Sequence, residues 1–348
     1  METMKALFAT HPAVSLHQGG VRTQMLQTKA ALEQLDVTVS LFEMWKDIDI
    51  HSYDLVHIFT ANMATYHFAR ALRVNHVPFV VSPIFYSRHS ARTIHSVVTL
   101  DRTLNHFVRG VWTDYGIMAE LCSWARGILP NTQAEAQLLI HGMNVPSDSV
   151  RIVPNGVEDR FSKAPPELFI RQYGLENYIL YVGQIGAERK NVYNLLKALE
   201  RIDHPAVLIG TVEDTPTGKK CLELAKRNPR LLIIDELPHD SMLLASAYRA
   251  AKVFALPSLY ETPGIAAMEA ALAGASIVIT PYGGTKDYFQ NEVEYVEPTS
   301  VNDIERGIRA ALAKPASKRL KDYFLAHFTW QHIAEKTKSI YEWALNGA

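Results

Sequence analysis

Short apolar runs of strand length alternate with helical stretches along almost the whole chain. The predicted strands of the first part are Lys5–Ala9, Val37–Phe42, Asp54–Phe59, Pro78–Ser82, Gly127–Leu129 and Val150–Val153. Those of the second part are Tyr178–Val182, Ala206–Ile209, Leu231–Ile234, Val253–Leu256 and Ile277–Thr280. Strands that alternate with helices form parallel sheets with helices on both faces. The pattern therefore predicts an α/β fold built from doubly wound sheets.

One polar stretch interrupts the alternation and suggests two domains. It runs over residues 158–176 and contains Pro165-Pro166, which favours a crossing between domains. A chain of 348 residues also suits two domains of ordinary size. We therefore expect Rossmann-like domains over residues 1–165 and 166–326, followed by a terminal segment over 327–348.

Helical periodicity predicts the segments between the strands. A helix opens at Gly19-Gly20, the region from Asp101 to Trp124 reads as mostly helical, and the chain ends in an amphipathic helix. In that last helix, five apolar residues lie close to one stripe: Trp330, Ile333, Ile340, Tyr341 and Ala344. Further helices are expected over 132–141 and 190–200.

Composition narrows the class of protein without naming a function. The net charge of −1 gives no argument for a nucleic-acid partner. The two cysteines, Cys122 and Cys221, lie far apart, which disfavours a disulfide framework and favours a reducing cytosol. No apolar run approaches the roughly 20 residues that span a bilayer. We expect a cytoplasmic protein, with peripheral attachment to the inner membrane face left open.

The most informative stretch carries two carboxylates, Glu261 and Glu269, at the ends of a turn-to-helix unit. An apolar run suited to a buried strand precedes it. Thr262 is a good helix cap and Pro263 suits a first helical position. The first amides, near Gly264 and Ile265, then have no intrahelical acceptor and suit a phosphate.

The spacing of the two carboxylates predicts the kind of ligand that this unit binds. Glu269 lies roughly 9–12 Å along the axis from Glu261, at about 1.5 Å per residue. An extended polar ligand fits this distance, with phosphates in the middle and hydroxyls at both ends. Two facing sheets would bring this unit and Gly19-Gly20 to opposite walls of one cleft, because parallel sheets bind ligands beyond the carboxyl ends of their strands.

Four motifs now stand in order along the chain, and together they resemble those of one enzyme family. They are Pro154-Asn155-Gly156-Val157, Tyr181-Val182-Gly183-Gln184 with Arg189-Lys190-Asn191, the carboxylate unit with its E-x7-E spacing, and Phe328-Thr329-Trp330. The chain resembles the retaining glycosyltransferases of family 4, which share the two-Rossmann architecture named GT-B. The resemblance runs from the first strand to the last helix and is most specific in the second half.

The resemblance implies an activity and an architecture. The activity is transfer of a sugar from a nucleotide-sugar donor to an acceptor, with retention of anomeric configuration. It implies two domains that face a central cleft, with the donor mainly on the C-terminal domain and the acceptor mainly on the N-terminal one. The last helix is implied to pack back on the N-terminal domain. The resemblance implies no metal and no cofactor, since the nucleotide-sugar is a substrate.

It also implies roles for residues of the second domain. Lys190 and Arg189 would stabilise the charge that develops on the leaving diphosphate. Glu261 would contact hydroxyls of the donor sugar, and Glu269 would accept hydrogen bonds from the two ribose hydroxyls. The amides near Gly264 and Ile265 would serve the phosphates. Leu237 corresponds to a position that contacts the base through its backbone, although a plain core role stays open.

Two departures from the family pattern affect the remaining site residues. Gln184 stands where relatives commonly carry an arginine, so it brings a hydrogen-bond donor but no charge. The segment Ser82–Tyr86 lacks the histidine that many relatives carry after this strand. Tyr86 and His89 are the nearby candidates for an acceptor site, beside the solvated or structural role that a lone histidine more often has.

The N-terminal domain contributes a glycine pair to the expected site. Gly19 and Gly20 follow the first strand and allow a ligand to approach the backbone closely. Arg22 is near enough in sequence to reach the same region. A plain helix-entry turn is the alternative reading of the two glycines.

Three readings of function remain open at this point. The leading one is a retaining hexosyltransferase with a glycan or lipid-linked acceptor, in bacterial surface polysaccharide assembly. The others are a nucleotide-sugar epimerase of the same fold and a catalytically silent nucleotide-sugar-binding relative. Asp47-Ile48-Asp49 formally matches a metal-binding D-x-D pattern, but it lies in a polar connection and is set aside. The sequence leaves the sugar, the base and the acceptor undetermined.

Overall fold

The chain divides into two compact units, one formed by Met1–Gly156 with Trp330–Ala348 and the other by Val157–Thr329. The structure is a computed structural model, and it describes residues 3–16, 19–105, 107–108, 110, 112–315 and 317–347. The boundaries expected from the sequence, after residues 165 and 326, both lie inside the second unit. The final segment belongs to the first unit from Trp330 onward.

The first unit is built on a parallel sheet of five strands. They are β1 Met4–Ala9, β2 Val37–Leu41, β3 Leu55–Phe59, β4 Phe79–Ser82 and β5 Gly127–Ile128, in the order β2-β1-β3-β4-β5. The expected strand over Val150–Val153 is wrong, because Val150 makes only an isolated bridge with Ile128. The chain there follows β5 through two backbone bonds, from Arg151 to Ile128 and from Val153 to Pro130, without forming a ladder.

Helices cover this sheet, and their buried faces carry the apolar residues of the sequence pattern. Their bounds are Gly20–Glu33, Met63–Val74, Ala91–Asn105, Asp114–Trp124, Gln133–Gln137 and Trp330–Leu345. The continuous helix expected from Asp101 to Trp124 is wrong. The first helix ends at Asn105, Gly110 has a positive φ of 92°, and Thr113 caps the next helix by accepting a hydrogen bond from the Gly116 amide. Asp101 fixes this break, since its buried carboxylate accepts hydrogen bonds from Thr113.

The final helix, Trp330–Leu345, completes the core of the first unit. All five residues of its predicted apolar stripe are buried. It also makes one buried polar contact, in which the Tyr341 hydroxyl lies 2.6 Å from Nδ1 of His57. The other ring nitrogen of His57 lies 2.9 Å from the Ser82 hydroxyl, and burial lowers the pKa of this histidine to about 3. His57 is therefore a neutral core residue.

The second unit is built on a parallel sheet of six strands. They are β6 Tyr178–Val182, β7 Ala206–Ile209, β8 Leu231–Ile234, β9 Ala251–Leu256, β10 Ser276–Ile279 and β11 Glu294–Tyr295, in the order β11-β10-β9-β6-β7-β8. Parallel strands that are buried on both faces are rich in valine, isoleucine and leucine. Most strands of this sheet have that composition. Two parallel-sheet, Rossmann-like domains are thus present, as the alternating pattern predicts.

Helices also cover the second sheet. Their bounds are Arg160–Lys163, Glu167–Tyr173, Val192–Leu199, Pro216–Arg227, Met242–Ala250, Ile265–Ala273, Thr285–Phe289, Val301–Ala313 and Lys318–His327. The stretch 158–176 is therefore not the soft crossing that its polar composition suggests. Phe161 and Phe169 are fully buried within it and anchor its two short helices to the core of the second unit. Among the described residues, no helix is both long and apolar enough to cross a membrane.

A glycine of the Pro154-Asn155-Gly156-Val157 motif makes the closest approach to the final helix. A Cβ atom on Gly156 would lie 2.5 Å from Cδ2 of Trp330 and 2.9 Å from its Cα. The first contact is with a rigid ring and the second with backbone, so neither atom can move aside easily. This close approach explains why the motif carries glycine here.

We expect Gly156→Ala to destabilise the fold by about 1–3 kcal/mol, because overpacking of a filled site forces the surrounding atoms to shift. Urea unfolding followed by circular dichroism measures this change. Gly20→Ala is the matched control, because it starts a helix and no described atom lies within 4 Å of the added Cβ. Equal unfolding midpoints for both variants would contradict the steric argument.

Candidate functional site

The candidate site of the second unit lies where two neighbouring parallel strands end. Strands β6 and β9 pair directly, so the loops after their carboxyl ends are adjacent. The loop after β6 ends in a 3-10 turn over Glu188–Lys190, and the loop after β9 leads to Glu261. The Leu259 amide donates to the Arg189 carbonyl at 2.8 Å and joins the two loops. The topology therefore brings Arg189 and Lys190 to Glu261, from 71 residues away along the chain.

Both cations pair with the Glu261 carboxylate. Nζ of Lys190 lies 2.7 Å from Oε1, and a terminal guanidinium nitrogen of Arg189 lies 3.1 Å from Oε2. The Ser258 hydroxyl donates a further bond to Oε1 at 2.7 Å. The Glu261 side chain is 7% exposed and that of Lys190 17%, whereas Arg189 is 39% exposed. The cluster is thus a nearly buried ion pair with one cation at its open side.

Electrostatics keeps Glu261 ionised despite its burial. Burial by itself raises the pKa of this carboxyl, but the charges of Lys190 and Arg189, with hydrogen bonds from Lys190 and Ser258, outweigh it and hold the pKa at about 2. Burial lowers the pKa of Lys190, and the neighbouring Glu261 charge opposes that shift. A buried charge is tolerated only when it is paired and hydrogen-bonded, as each of these two is.

Asn191 holds the cationic turn in place. Its backbone is left-handed, with φ of 55°, a conformation that asparagine adopts more readily than most residues. Its side-chain amide donates to the carbonyls of Pro257 at 2.9 Å and Pro298 at 2.7 Å. Pro257 directly follows β9, so this amide ties the end of the Arg189-Lys190 turn to the strand that leads to Glu261.

The second carboxylate stands on the helix Ile265–Ala273, which begins later than the sequence predicts. Thr262 is not its cap and Pro263 is not its first residue, so both expectations are wrong. Gly264 is the N-cap instead, with a positive φ of 77° that favours glycine. The amides of Ile265 and Ala266 fall in the first turn, where no intrahelical acceptor exists, so the expected phosphate-friendly amides are retained.

The delayed helix start has a physical cause in the neighbouring loop. Glu261 forms a parallel bridge with Gly283, and its amide donates to the Tyr282 carbonyl at 3.1 Å. The Gly284 amide returns a bond to the Glu261 carbonyl at 2.9 Å. A Cβ on Gly283 would lie 2.0 Å from that carbonyl oxygen, so this approach requires glycine. The bridge keeps Glu261 extended and so delays the start of the helix.

Glu269 has a partner that the sequence analysis missed. Its Oε1 lies 2.8 Å from Nε2 of His239, and its side chain is 5% exposed. The opposite ring nitrogen of His239 lies 3.6 Å from the Glu158 carboxylate. The bond to Glu269 raises the pKa of His239, with burial opposing and the charges of both glutamates adding to the rise. His239 lies two residues after Leu237, the predicted base contact, and that proximity was the only signal available in the sequence.

Two further predicted residues of this unit, Gln184 and Leu237, lie in the loops after β6 and β8. Gln184 is exposed, and its carbonyl accepts a hydrogen bond from the buried Tyr181 hydroxyl at 2.8 Å. Leu237 is half-buried and packs against the core of the unit, which is the alternative that the sequence left open. The backbone of Leu237 lies in the loop after β8, and β8 is the neighbour of β7 in the sheet. The roles of Gln184 and Leu237 toward a donor stay predictions.

The residues predicted in the first unit lie on its surface. Gly19 and Gly20 enter a helix, and no described atom lies within 4 Å of a Cβ added to either one. Packing within the described chain therefore does not require glycine at these positions, and both the ligand role and the plain helix-entry turn stay predictions. Arg22 is exposed and Tyr86 half-buried. Nδ1 of His89 lies 2.9 Å from the Tyr115 hydroxyl, a structural contact at an exposed site.

Another buried carboxylate, that of Glu135, braces the predicted acceptor segment of the first unit. Its two oxygens accept hydrogen bonds from the amides of Phe85 at 2.8 Å and Asn131 at 2.7 Å, and burial raises its pKa to about 7. Ile84, next to Phe85, has a positive φ of 53°. Such a value is a rare strain for a β-branched residue and persists only where the surroundings impose it. No local sequence pattern identified Glu135.

Two family models match the chain, one in each domain. The model described as Glycosyltransferase Family 4 matches residues 32–161. The model described as Glycosyl transferases group 1 matches residues 169–323 and contains the whole Glu261 cluster and His239. The two matches together support a family 4-type glycosyltransferase enzyme. The resemblance of the sequence to such enzymes is therefore confirmed at this level.

Curated relatives agree with this family. The chain is 26% identical over 280 residues to the MMP alpha-(1->4)-mannosyltransferase of Mycolicibacterium hassiacum, a match that covers 73% of this chain and 65% of the relative. In this match and in those to two other curated relatives, the chain covers 43% to 65% of the relative's own length. The chain thus spans less than two thirds of these proteins.

Solved structures agree with the fold. Sucrose-phosphate synthase from Thermosynechococcus elongatus superimposes with a TM-score of 0.79 at 18% identity, over 99% of both chains. Anabaena HepE superimposes with a TM-score of 0.71 at 17% identity, over 97% of this chain and 99% of the other. At these identities the likeness establishes the GT-B fold alone.

Two of the buried glutamates, Glu261 and Glu135, predict opposite effects of pH on stability. The pKa of Glu261 falls from 4.5 to about 2 on folding, so its contribution is present above pH 4.5 and is lost as the pH falls toward 2. A shift of this size corresponds to about 3 kcal/mol. The pKa of Glu135 rises from 4.5 to about 7, so ionisation of this group destabilises the fold as the pH rises between those values.

We therefore expect Glu261→Gln to flatten the loss of stability below pH 4.5, and Glu135→Gln to flatten a loss between pH 4.5 and 7. Urea unfolding at pH values from 3 to 8 measures both free energies against the unsubstituted protein. Each variant is the control for the other, because both remove one buried carboxylate charge. Two variants whose curves run parallel to that of the unsubstituted protein would refute the assigned shifts.

Proposed function

We propose that this protein is a retaining, metal-independent hexosyltransferase that moves a sugar from a nucleotide-sugar donor to a glycan or lipid-linked acceptor. The observation that carries the proposal is the buried Glu261–Lys190–Arg189 cluster beside the start of the Ile265–Ala273 helix. Fixed cations and helix amides are what a departing diphosphate requires when no metal neutralises it. In this proposal the donor binds mainly to the second unit and the acceptor to the first.

The charge balance of the cluster supports a diphosphate ligand. Lys190 and Arg189 contribute two positive charges against the single negative charge of Glu261, which leaves one positive charge uncompensated. Arg189, at 39% exposure, is the cation that solvent and ligands reach most easily. Glu261 then has two tasks: it holds the two cations together, and its carboxylate faces hydroxyls of the donor sugar.

The relatives guide the choice of donor for a first experiment. Anabaena HepE has been solved with UDP and with UDP-glucose, and the mycobacterial relative is named a mannosyltransferase. UDP is therefore the first nucleotide to test, followed by GDP and ADP. Binding to the folded state raises the melting temperature by mass action, so a thermal-shift panel of these three diphosphates ranks the bases.

We expect Lys190→Ala to weaken binding of the preferred diphosphate by about tenfold or more, because one charge-assisted hydrogen bond is worth roughly 1.5–3 kcal/mol. Binding of the corresponding nucleoside should not change, since it has no phosphate. Isothermal titration calorimetry measures both affinities. Lys197→Ala is the matched control, because this lysine lies on the next helix and packs over the Tyr193 ring.

The same variants test the reaction. In Glu261→Gln the amide oxygen can still accept a hydrogen bond from Lys190, so diphosphate binding should weaken much less than transfer, which should fall by orders of magnitude. Transfer by the unsubstituted protein should persist in a chelator. Isomerisation of the free nucleotide-sugar would indicate an epimerase, and binding without any turnover would indicate a silent relative. Equal diphosphate affinity in Lys190→Ala and Lys197→Ala would remove Lys190 from the donor site.

We further propose that the first unit attaches to the surface of an anionic membrane, which suits a lipid-linked acceptor in bacterial surface polysaccharide assembly. The support is a group of exposed apolar side chains, here named the apolar surface: Leu100, Leu104, Phe107, Val108 and Trp112. Arg88 and Arg92 are exposed just before it. The only acidic residue in the sequence from 86 to 113 is Asp101, and it is buried. Apolar and basic side chains together favour an interface rich in anionic lipid.

We expect the protein to sediment with vesicles that contain phosphatidylglycerol and to stay in solution with pure phosphatidylcholine. The double variant Leu100→Ser with Phe107→Ser should lose most of this binding, because it removes two large apolar side chains from the interface. Trp45→Ser is the control, since Trp45 is 95% exposed but outside the apolar surface. Binding that survives the double variant, or that Trp45→Ser abolishes equally, would contradict this assignment.

A further inference from the structure

His239 lies between two carboxylates that come from different parts of the second unit. Its Nε2 is 2.8 Å from Glu269, on the helix Ile265–Ala273, and its Nδ1 is 3.6 Å from Glu158, just before the helix Arg160–Lys163. The imidazole side chain is 32% exposed, while that of Glu269 is 5% exposed. One ring therefore contacts both acids, and Glu269 is the member of the three with the least access to solvent.

The other groups around this ring also fix its position. Arg160 donates from its guanidinium to the His239 carbonyl and pairs with Glu158 at 3.1 Å. The Phe161 ring meets the imidazole edge-on, with centroids 6.0 Å apart. Tyr248, on the helix Met242–Ala250, adds no charge, because burial, followed by the Glu269 carboxylate, raises its pKa well above the usual value. The local charges are thus two carboxylates, one guanidinium and the titratable imidazole.

His239 also connects two predicted parts of the nucleotide site. It lies in the loop after β8, two residues from Leu237, the predicted base contact. Glu269, which it contacts, is the predicted partner of the ribose hydroxyls. A base contact and a ribose contact must keep a fixed separation to bind one nucleoside. The His239–Glu269 bond supplies that connection across 30 residues of sequence.

We propose that His239 is a positioning residue that fixes the Glu269 carboxylate for the two ribose hydroxyls and thereby sets a preference for ribonucleotides over deoxyribonucleotides. The inference rests on the proposed function, in which Glu269 accepts those two hydrogen bonds. A carboxylate held at Oε1 by the imidazole presents its remaining lone pairs in one orientation. Such preorganisation reduces the ordering cost that a ligand meets on binding.

Protonation of His239 strengthens this arrangement. In the imidazolium both ring nitrogens donate, one toward Glu269 and the other toward Glu158. When the ring is neutral, one nitrogen carries a lone pair, and it then faces a carboxylate. The two glutamates raise the pKa of His239, so the charged form persists to a higher pH than in an isolated histidine. The ribose preference should therefore weaken as the pH rises through that raised value.

The test compares a ribonucleoside diphosphate with its 2′,3′-dideoxy analogue by isothermal titration calorimetry. The probe is whichever of UDP, GDP and ADP binds most tightly, and the ratio of the two affinities cancels titration of the phosphates. We expect the unsubstituted protein to prefer the ribonucleotide by about tenfold or more, the value of two hydroxyl hydrogen bonds. His239→Ala should reduce this ratio several-fold while the affinity for the dideoxy analogue stays unchanged.

A conservative variant separates orientation from charge and covers the case in which His239→Ala does not fold. In His239→Gln the side-chain amide can donate toward Glu269 but never titrates. It should retain most of the ribose preference and lose its dependence on pH between 5 and 9. Arg171→Ala is the control, because this arginine is exposed on the helix Glu167–Tyr173 and its side chain donates to the Glu167 carbonyl of the same helix.

Three results would overturn the inference. They are an unchanged affinity ratio in His239→Ala, an equal loss of affinity for both ligands, and a pH dependence in His239→Gln equal to that of the unsubstituted protein. Glu269→Gln distinguishes a failure of the proposed function from a failure of the role of His239 alone. If it keeps the full ribose preference, the ribose role of Glu269 in the proposed function fails. If it loses the preference while His239→Ala keeps it, only the role of His239 fails.

Discussion

The site of the second unit depends on one interaction, the ion pair between buried Glu261 and the two cations that follow β6. Burial alone would neutralise this carboxyl, yet the charges of Lys190 and Arg189 hold its pKa at about 2. The pair therefore requires that the loops after β6 and β9 meet, which the parallel pairing of those strands ensures. Asn191 and Gly283 both have a positive φ. Asn191 holds the loop after β6 to the end of β9, and Gly283 pairs with Glu261 in the loop after β9. The metal-independent transfer proposed above requires such an arrangement, because fixed charges must then stabilise the leaving diphosphate.

The contrast with Glu135 indicates how differently the two units are organised. Both glutamates are almost fully buried, but Glu261 contacts cations and Glu135 contacts backbone amides. Amide dipoles compensate burial less well than full charges do, so the pKa of Glu135 rises to about 7 while that of Glu261 falls. The second unit thus carries fixed charge toward a ligand. The first unit instead uses a carboxylate to hold a strained segment, Ile84–Phe85, in a defined conformation.

Local patterns in the sequence predicted most of the fold but not the contacts that complete the site. Strands such as Tyr178–Val182 and Ala206–Ile209 match to the residue, because a buried parallel strand is a continuous apolar run. Thr262-Pro263 has the composition of a helix start, yet the bridge from Glu261 to Gly283 overrides it. The pairs of His239 with Glu269 and of Glu135 with Phe85 join residues 30 and 50 positions apart. Periodicity and capping rules do not reach such distances, so only the folded chain reveals them.

In the proposed donor site, the absence of an arginine at position 184 gives Arg189 a larger share of phosphate recognition beside Lys190. The side-chain polar contacts of Arg189 with Glu261 and with the Tyr260 carbonyl both use one terminal nitrogen, and its guanidinium lies 5.5 Å from the centre of the Tyr260 ring. A guanidinium presents five N–H donors in a rigid fork, so Arg189 can remain paired with Glu261 and still offer donors to a second anion. Lys190 lacks this geometry, because it is a compact charge already engaged by Glu261 at 2.7 Å. In the proposed site, Arg189 therefore presents the uncompensated positive charge of the cluster to the phosphates, and Lys190 adds the donors that Glu261 does not engage. In that proposal, the amides at the start of the Ile265–Ala273 helix supply the rest of the stabilisation that Gln184 cannot give.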